Sequence, residues 1–336
     1  MNKSTLAILI FLAVPSFMFA QKIRTEDFQF TMPEQKIPNS LYSSIRVIDA
    51  RNDTTTVGII QRGFLNDRVK LIPKLPLADQ MSAVLSALTD GSAKAGELVL
   101  HVRQFTLAEI TGSFSERGYC YVRAALFGGH DGSYRLLSKL DSVFVVKSAD
   151  VTKGLLKTGS ETITDLISAN LLKEPVETEV YSYNEIYKID SLEKRGFAIY
   201  QTDVYKDGVY RSFSSFRDHQ PDGQVTAKIK KGKLLDVYTF NAKGSKEQVW
   251  HKDTYAVIYQ GIPFISSDFI YYPLTKKDND FYFTGKAKTA NSTEVMVAGM
   301  MFGLLGSALA SEVNAKFEMK IDHLNGGFIR GKEVKK

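Results

Sequence analysis

Residues 76–105 read "PLADQMSAVLSALTDGSAKAGELVLHVRQF", and within them the apolar period changes from helical to extended. Leu77, Met81, Val84, Leu85 and Leu88 fall on one face at helical spacing, with Pro76 tolerated at the start because no helical N–H is needed there. Downstream, Leu98, Leu100, Val102 and Phe105 stand among polar residues as in a strand. A narrow apolar helical face must be covered, so the stretch predicts a helix lying on a sheet.

The neighbouring segments extend that sheet. In "SSIRVIDAR", Ile45, Val47 and Asp49 alternate with Arg46, Ile48 and Ala50, and "TTVGII" reads as a second short strand. "GYCYVRAALF" and "YRLLSKLDSVFVV" add strands on either side of the turn "GGHDGS" at residues 128–133. A second helix opens at Asp150 and buries Val151, Leu155, Ile163, Leu166, Ile167 and Leu171. Gly154 and Gly159 each weaken its propensity by about 1 kcal/mol, so packing has to hold it. The order of elements predicts an α+β module over residues 43–172, a mixed sheet with two packed helices. "PLADQMSAVLSAL", "GELVLHVRQF", "GYCYVRAALF" and "YRLLSKLDSVF" resemble the α+β modules of periplasmic lipoproteins that assist transport and lipopolysaccharide assembly in Gram-negative bacteria. The chain departs from that group in having no lipid-bearing N-terminal cysteine.

Residues 173–196, "KEPVETEVYSYNEIYKIDSLEKRG", are charged and without sustained period, and are expected to link two modules. Over residues 197–330 aromatics become frequent and turn signals recur, as in "YKDGVY", "KKGKL", "NAKGS", "YQGIP" and "KKDND". That spacing predicts an antiparallel β-meander. Tyr210, Phe213 and Phe216 recur three apart and mark a departure from strand geometry. "GVYRSFSSFRDHQP", "YYPLTKKDNDFYFTGKAK" and "MKIDHLNGGFI" resemble segments of secreted Gram-negative proteins of undefined activity, in which an aromatic meander precedes an apolar helix. That resemblance implies architecture and compartment, and no site.

The first residues, "MNKSTLAILIFLAVPSFMFAQK", have the charged, apolar, small-residue order of a secretory signal peptide over 1–20. An extended lead-in is expected over 21–42, where Pro33 and Pro38 fall, and a basic tail over 331–336. The protein is thus expected to be exported, and periplasmic or outer-membrane associated. Cys120 is the only cysteine, so no intrachain disulfide forms. A net charge of +6 over 336 residues is modest. After export it favours anionic headgroups or envelope polysaccharide over nucleic acid. "AKIKKGKLL", the densest basic run, reads as a solvated hairpin turn, with an anion-binding patch as the alternative.

Little in the chain points to covalent chemistry. Histidines 101, 130, 219, 251 and 323 show no ligand spacing, so no metal site and no cofactor is expected. A G-x-S-x-G elbow is missing, Cys120 sits within an apolar strand, and His130 with Asp131 occupies a glycine turn. Asp278 and Asp280 lie in a turn with too few ligands for a dedicated calcium loop. Tyr205, Tyr210, Trp250, Tyr259, Tyr271 and Tyr272 either pack the strands or line a groove for sugar or peptide.

"NSTEVMVAGMMFGLLGSALASE", residues 291–312, supplies the candidate interaction surface. Asn291 with Glu294 forms an N-cap pattern ahead of an apolar run at 295–311. Its seventeen residues reach about 26 Å as a helix, short of the ~30 Å hydrocarbon core. Gly299, Gly303 and Ser307 make a stripe of small side chains beside Met300 and Leu304. Cover by the protein's own sheet or by a partner is expected, with lipid contact or crossing as the alternative. The expected function is non-enzymatic binding or assembly at the cell envelope, with an envelope protein or a membrane surface as partner. A carbohydrate- or peptide-active protein with an aromatic cleft and a membrane-anchored structural protein are the alternatives.

Overall fold

The structure, a computed structural model, describes residues 24–63, 66–111, 116–148, 150–267, 269–286 and 316–334. The leader expected at 1–20 and the apolar helix expected at 292–312, with Gly299, Met300, Gly303, Leu304 and Ser307, lie outside the described residues. The protein is broadly α+β.

The N-terminal half runs β1 (Arg24–Phe28), β2 (Tyr42–Asp49), β3 (Gly58–Arg62), β4 (Asp67–Pro73), α1 (Leu77–Leu88), β5 (Gly96–Thr111), β6 (Glu116–His130), β7 (Ser133–Val146) and α2 (Val151–Ser168). Its strands form one sheet in the order β1-β4-β3-β5-β6-β7, and β2 also pairs with β5. The 16 residues of β5 make this possible: its first half pairs in parallel with β2, and Leu107 and Ala108 pair with Gly58 and Ile59 of β3. Helices α1 and α2 cover one face. Leu77, Met81, Val84, Leu85 and Leu88 of α1 are all buried there, as are Val151, Leu155, Ile163, Leu166, Ile167 and Leu171 in and after α2. The Asp150 side chain caps α2 by accepting from the Lys153 N–H at 2.8 Å.

Two segments contribute more than their composition suggested. The lead-in at 21–42 is extended, but it enters the sheet as β1 and buries Phe28 and Phe30 against Phe105, with ring centroids 5.0–5.5 Å apart. Residues 173–196, expected as a linker, fold into α3 (Tyr183–Tyr187) and α4 (Ile189–Arg195). Each is too short to show a period, yet Ile186 and Ile189 are buried against Val99, Ala125 and Phe127 on the sheet face opposite α1 and α2.

The C-terminal half continues with β8 (Gly208–Tyr210), α5 (Phe213–Arg217), β9 (Thr226–Lys230), β10 (Lys233–Phe240), β11 (Lys246–Gln248), β12 (Ala256–Tyr259), β13 (Ile262–Ser267), β14 (Ile270–Pro273), β15 (Thr275–Lys277), β16 (Asp280–Lys286), β17 (Lys316–Ile321) and β18 (Phe328–Val334). The expected meander is divided into three antiparallel sheets, β11-β10-β9, β14-β13-β12-β8 and β15-β16-β17-β18. The middle sheet packs Val209, Val257, Phe264 and Tyr271 against Leu234 and Val237 of the first. Its other side packs Tyr210, Ala256, Ile258 and Ile265 with Phe281, Phe283, Phe317 and Met319 of the third. The residues expected as a basic tail are, through Val334, part of β18, because Phe317 and Lys316 of β17 pair with Glu333 and Val334.

Turn chemistry sets the hairpins. At Asp131–Gly132, Lys231–Gly232, Gln260–Gly261 and Asp278–Asn279 both central residues have φ between 50° and 77°, the geometry whose twist matches a two-residue hairpin. The strands on either side of residues 287–315 pair directly, from Tyr282 opposite Lys320 to Lys286 opposite Lys316.

Candidate functional site

A group of buried and half-buried charges lies where the two halves meet, on the sheet face that carries α3 and α4. In β5 the register shifts between Val102 and Gln104, leaving Arg103 in a bulge. From there its Nε donates to Asp190 Oδ1 at 2.9 Å and its Nη2 to Glu193 Oε2 at 2.6 Å. Asp190 and Glu193 are three residues apart on α4, so both carboxylates face the same way. His323 Nε2 lies 3.0 Å from Glu193 Oε2. Next to it, Arg123 of β6 donates to Asp141 of β7 at 2.9 Å and to Asp322.

The segment "DHLNGG" after β17 therefore delivers adjacent residues to two arginine clusters, Asp322 to Arg123 and His323 to the Arg103 group. Its shape is fixed locally. Asp322 Oδ1 accepts from the Leu324 N–H at 3.0 Å, Asn325 Oδ1 accepts from the Gly327 N–H at 2.8 Å, and Tyr255 Oη donates to the Gly326 carbonyl at 2.9 Å. Gly326 has φ +75°, and a Cβ there would stand 2.3 Å from the Phe213 ring. Only glycine fits that turn. On α4, Lys194 is buried and reaches Asp280 Oδ1 of β16 at 2.6 Å.

Burial pushes the Asp190 and Glu193 carboxyls up, but Arg103 and His323 outweigh it and hold both below the ordinary carboxylate range. Both are therefore anions at neutral pH, unsuited to act as general acids. His101, two residues before Arg103, has its imidazole held down to about 4 by burial and by Arg103, and is neutral. Ligand atoms of Asp190, Glu193 and His323 lie within 4.8 Å of one another. A divalent cation placed among them would meet the fixed Arg103 guanidinium already bonded to both carboxylates, so the group does not fit a metal. The arrangement joins the halves by paired charges.

The residues singled out by sequence do not converge. Tyr271 and Tyr272 are adjacent on β14, and alternation sends Tyr271 to the core between the first two sheets and Tyr272 to the core between the second and third. Tyr210 is fully buried, Tyr205 packs with it in that second core, and Trp250 stands exposed. Cys120 is buried and its thiol pushed up to about 12, far from a reactive thiolate. His130 and Asp131 are exposed and 3.0 Å apart in their turn. Asp278 is in a hairpin turn, whereas Asp280 is buried with Lys194 and Lys320. Elsewhere a groove of about 850 Å³ runs beside α2, lined by Thr31, Glu34, Lys153, Lys157, Ser160 and Glu161. Its Ser160 hydroxyl oxygen accepts from the Thr31 N–H at 2.8 Å. Among the described residues, no helix is long and apolar enough to cross a membrane.

No family model matches the chain, and no curated protein does. Among solved structures, a Xanthomonas campestris protein of the family-model DUF330 aligns over 50% of this chain and 99% of its own, with 14% identity and a TM-score of 0.29. An uncharacterised protein aligns over 44% of this chain and 98% of its own, with 12% identity and a TM-score of 0.26. Both likenesses are too distant to bear on function.

Proposed function

We propose that the chain is an exported cell-envelope protein that works by binding and assembly and performs no covalent chemistry of its own. The observation that favours this reading over a membrane-anchored one is the pairing of Lys286 with Lys316. Whatever the apolar run at 295–311 contacts, it is tethered at both ends to one hairpin of a packed sheet. A membrane-anchored role by a single crossing fits this poorly. Cα partners on neighbouring strands sit about 5 Å apart, whereas a crossing separates its ends by ~30 Å. The five-residue step from 311 to 316 spans at most about 17 Å, too short to return through lipid. The nine-residue step from 286 to 295 reaches about 31 Å only when fully extended, with its backbone polar groups unpaired in hydrocarbon. The arginine clusters support the same reading, because they join the two halves and engage Asp141, Asp190, Glu193 and Asp322 in ion pairs.

Fractionation of cells expressing the full-length chain tests it. The expected result is a processed protein in the envelope or periplasmic fraction, released from membranes by salt or alkaline carbonate. A pellet that resists both washes, or an unprocessed cytoplasmic protein, overturns the reading.

A further inference from the structure

The outer face of the β9–β11 sheet combines exposed apolar side chains with a surplus of positive charge. Cross-strand pairs share a face, and the pairs Lys230–Lys233, Lys228–Leu235, Thr226–Tyr238–Gln248 and Phe240–Lys246 all share one. The opposite face is spent on the core, through Ile229, Leu234 and Val237. Strict alternation would put Leu235 and Tyr238 on opposite sides. A bulge at Asp236, whose φ is +51°, inserts one residue between them and brings Leu235, Tyr238 and Phe240 onto the same outward side. Leu235 and Phe240 are each 43% exposed, and Lys246 Nζ lies 4.1 Å from the Tyr238 ring centroid.

Around this stripe the charge is one-sided. Residues 226–248 hold six lysines against Asp236 and Glu247, a surplus of four positive charges in a chain whose total is +6. Lys228, Lys230, Lys231, Lys233, Lys243 and Lys246 are all exposed. An apolar stripe with ammonium groups at its margins matches an interface where acyl chains lie beneath anionic headgroups. A soluble polyanion would use the lysines and leave Leu235 and Phe240 without a role.

We propose that this face docks the protein on the surface of an anionic lipid bilayer, Leu235 and Phe240 entering the headgroup layer and the lysines engaging phosphates. The proposal rests on the envelope-binding reading and names the surface that does the binding. Attraction of this kind is screened by salt and needs both components.

Co-sedimentation of the mature full chain with phosphatidylglycerol/phosphatidylcholine vesicles, against phosphatidylcholine alone, is the test. We expect at least about tenfold preference for the anionic vesicles, lost in high salt. Lys228→Gln/Lys230→Gln/Lys233→Gln and, separately, Leu235→Ser/Phe240→Ser should each weaken binding by about tenfold or more. These side chains point away from the core, so unchanged circular dichroism is expected for both variants. Vesicle binding that neither variant alters overturns the proposal, as does binding of dextran sulfate without binding of vesicles. If the wild type ignores anionic vesicles yet fractionates with the envelope, this surface is excluded and the broader reading stands.

Discussion

Arg123 of β6 and Asp322 after β17, 199 positions apart in the chain, form an ion pair across the junction with side-chain exposures of 9% and 3%. Removing Arg123 leaves the Asp322 carboxylate buried without its counter-charge, whereas Arg123 keeps Asp141 as a second partner. Arg123→Met is expected to lower stability by about 3–5 kcal/mol, read from urea unfolding. The double variant Arg123→Met/Asp322→Asn, which removes the stranded charge and keeps a side-chain oxygen for the Leu324 N–H, should recover part of that loss. A single variant as stable as the wild type would show that the junction does not bear on folding.

Acid should act on the junction through His101. The unfolded imidazole takes a proton near pH 6.5 and the native one only near 4, so protonation favours the unfolded chain between those values. Stability should fall by up to roughly 3 kcal/mol as pH drops from 6.5 to 4, and no further from this group below that. His101→Leu is expected to flatten the melting temperature over this window. An unchanged pH profile in that variant would count against a neutral buried imidazole.

Chelation should do nothing. Arg103 already neutralises the carboxylates a cation would need, so neither EDTA nor added zinc is expected to shift the melting temperature. A rise of several degrees with zinc would mean that Asp190, Glu193 and His323 release Arg103 and bind metal.

Two glycines are expected to resist substitution for different reasons. At Gly58, with φ +149°, a Cβ would stand 1.9 Å from the Leu107 carbonyl oxygen, backbone that cannot yield. Gly58→Ala should fail to give soluble protein. At Gly159 a Cβ would meet the fully buried Leu107 side chain at 2.8 Å. Gly159→Ala gains about 1 kcal/mol of helix propensity but forces a packed core apart at about 1–3 kcal/mol, so a net loss is expected in thermal unfolding.

Gly159 also shows how far the sequence could be read. Its propensity cost was legible, while its cause, the close approach of α2 to β5, was not. Long periodic elements are the most legible: every apolar position expected on the inner faces of α1 and α2 is buried, joined there by Gln80, Thr152, Gly159 and Ser160, which periodicity does not single out. Turn signals were equally readable, since Asp-Gly and Lys-Gly pairs carry their backbone geometry with them. Elements α3 and α4 escaped because five and seven residues cannot display a period. The arginine junction escaped because its members come from five segments, β5, β6, β7, α4 and the turn after β17. One signal was available, namely that Arg123 stands between Val122 and Ala124 in an otherwise apolar strand, where an unpaired charge would be costly.

The side-by-side placement of Lys286 and Lys316 bears on how such a chain can vary over time. The entropy of closing a loop grows only with the logarithm of its length, about 0.6 kcal/mol per doubling. Insertions, deletions or wholesale replacement between β16 and β17 would thus alter the ladder's free energy only slightly. Lineages could diversify that stretch as a cassette while the three sheets are inherited intact.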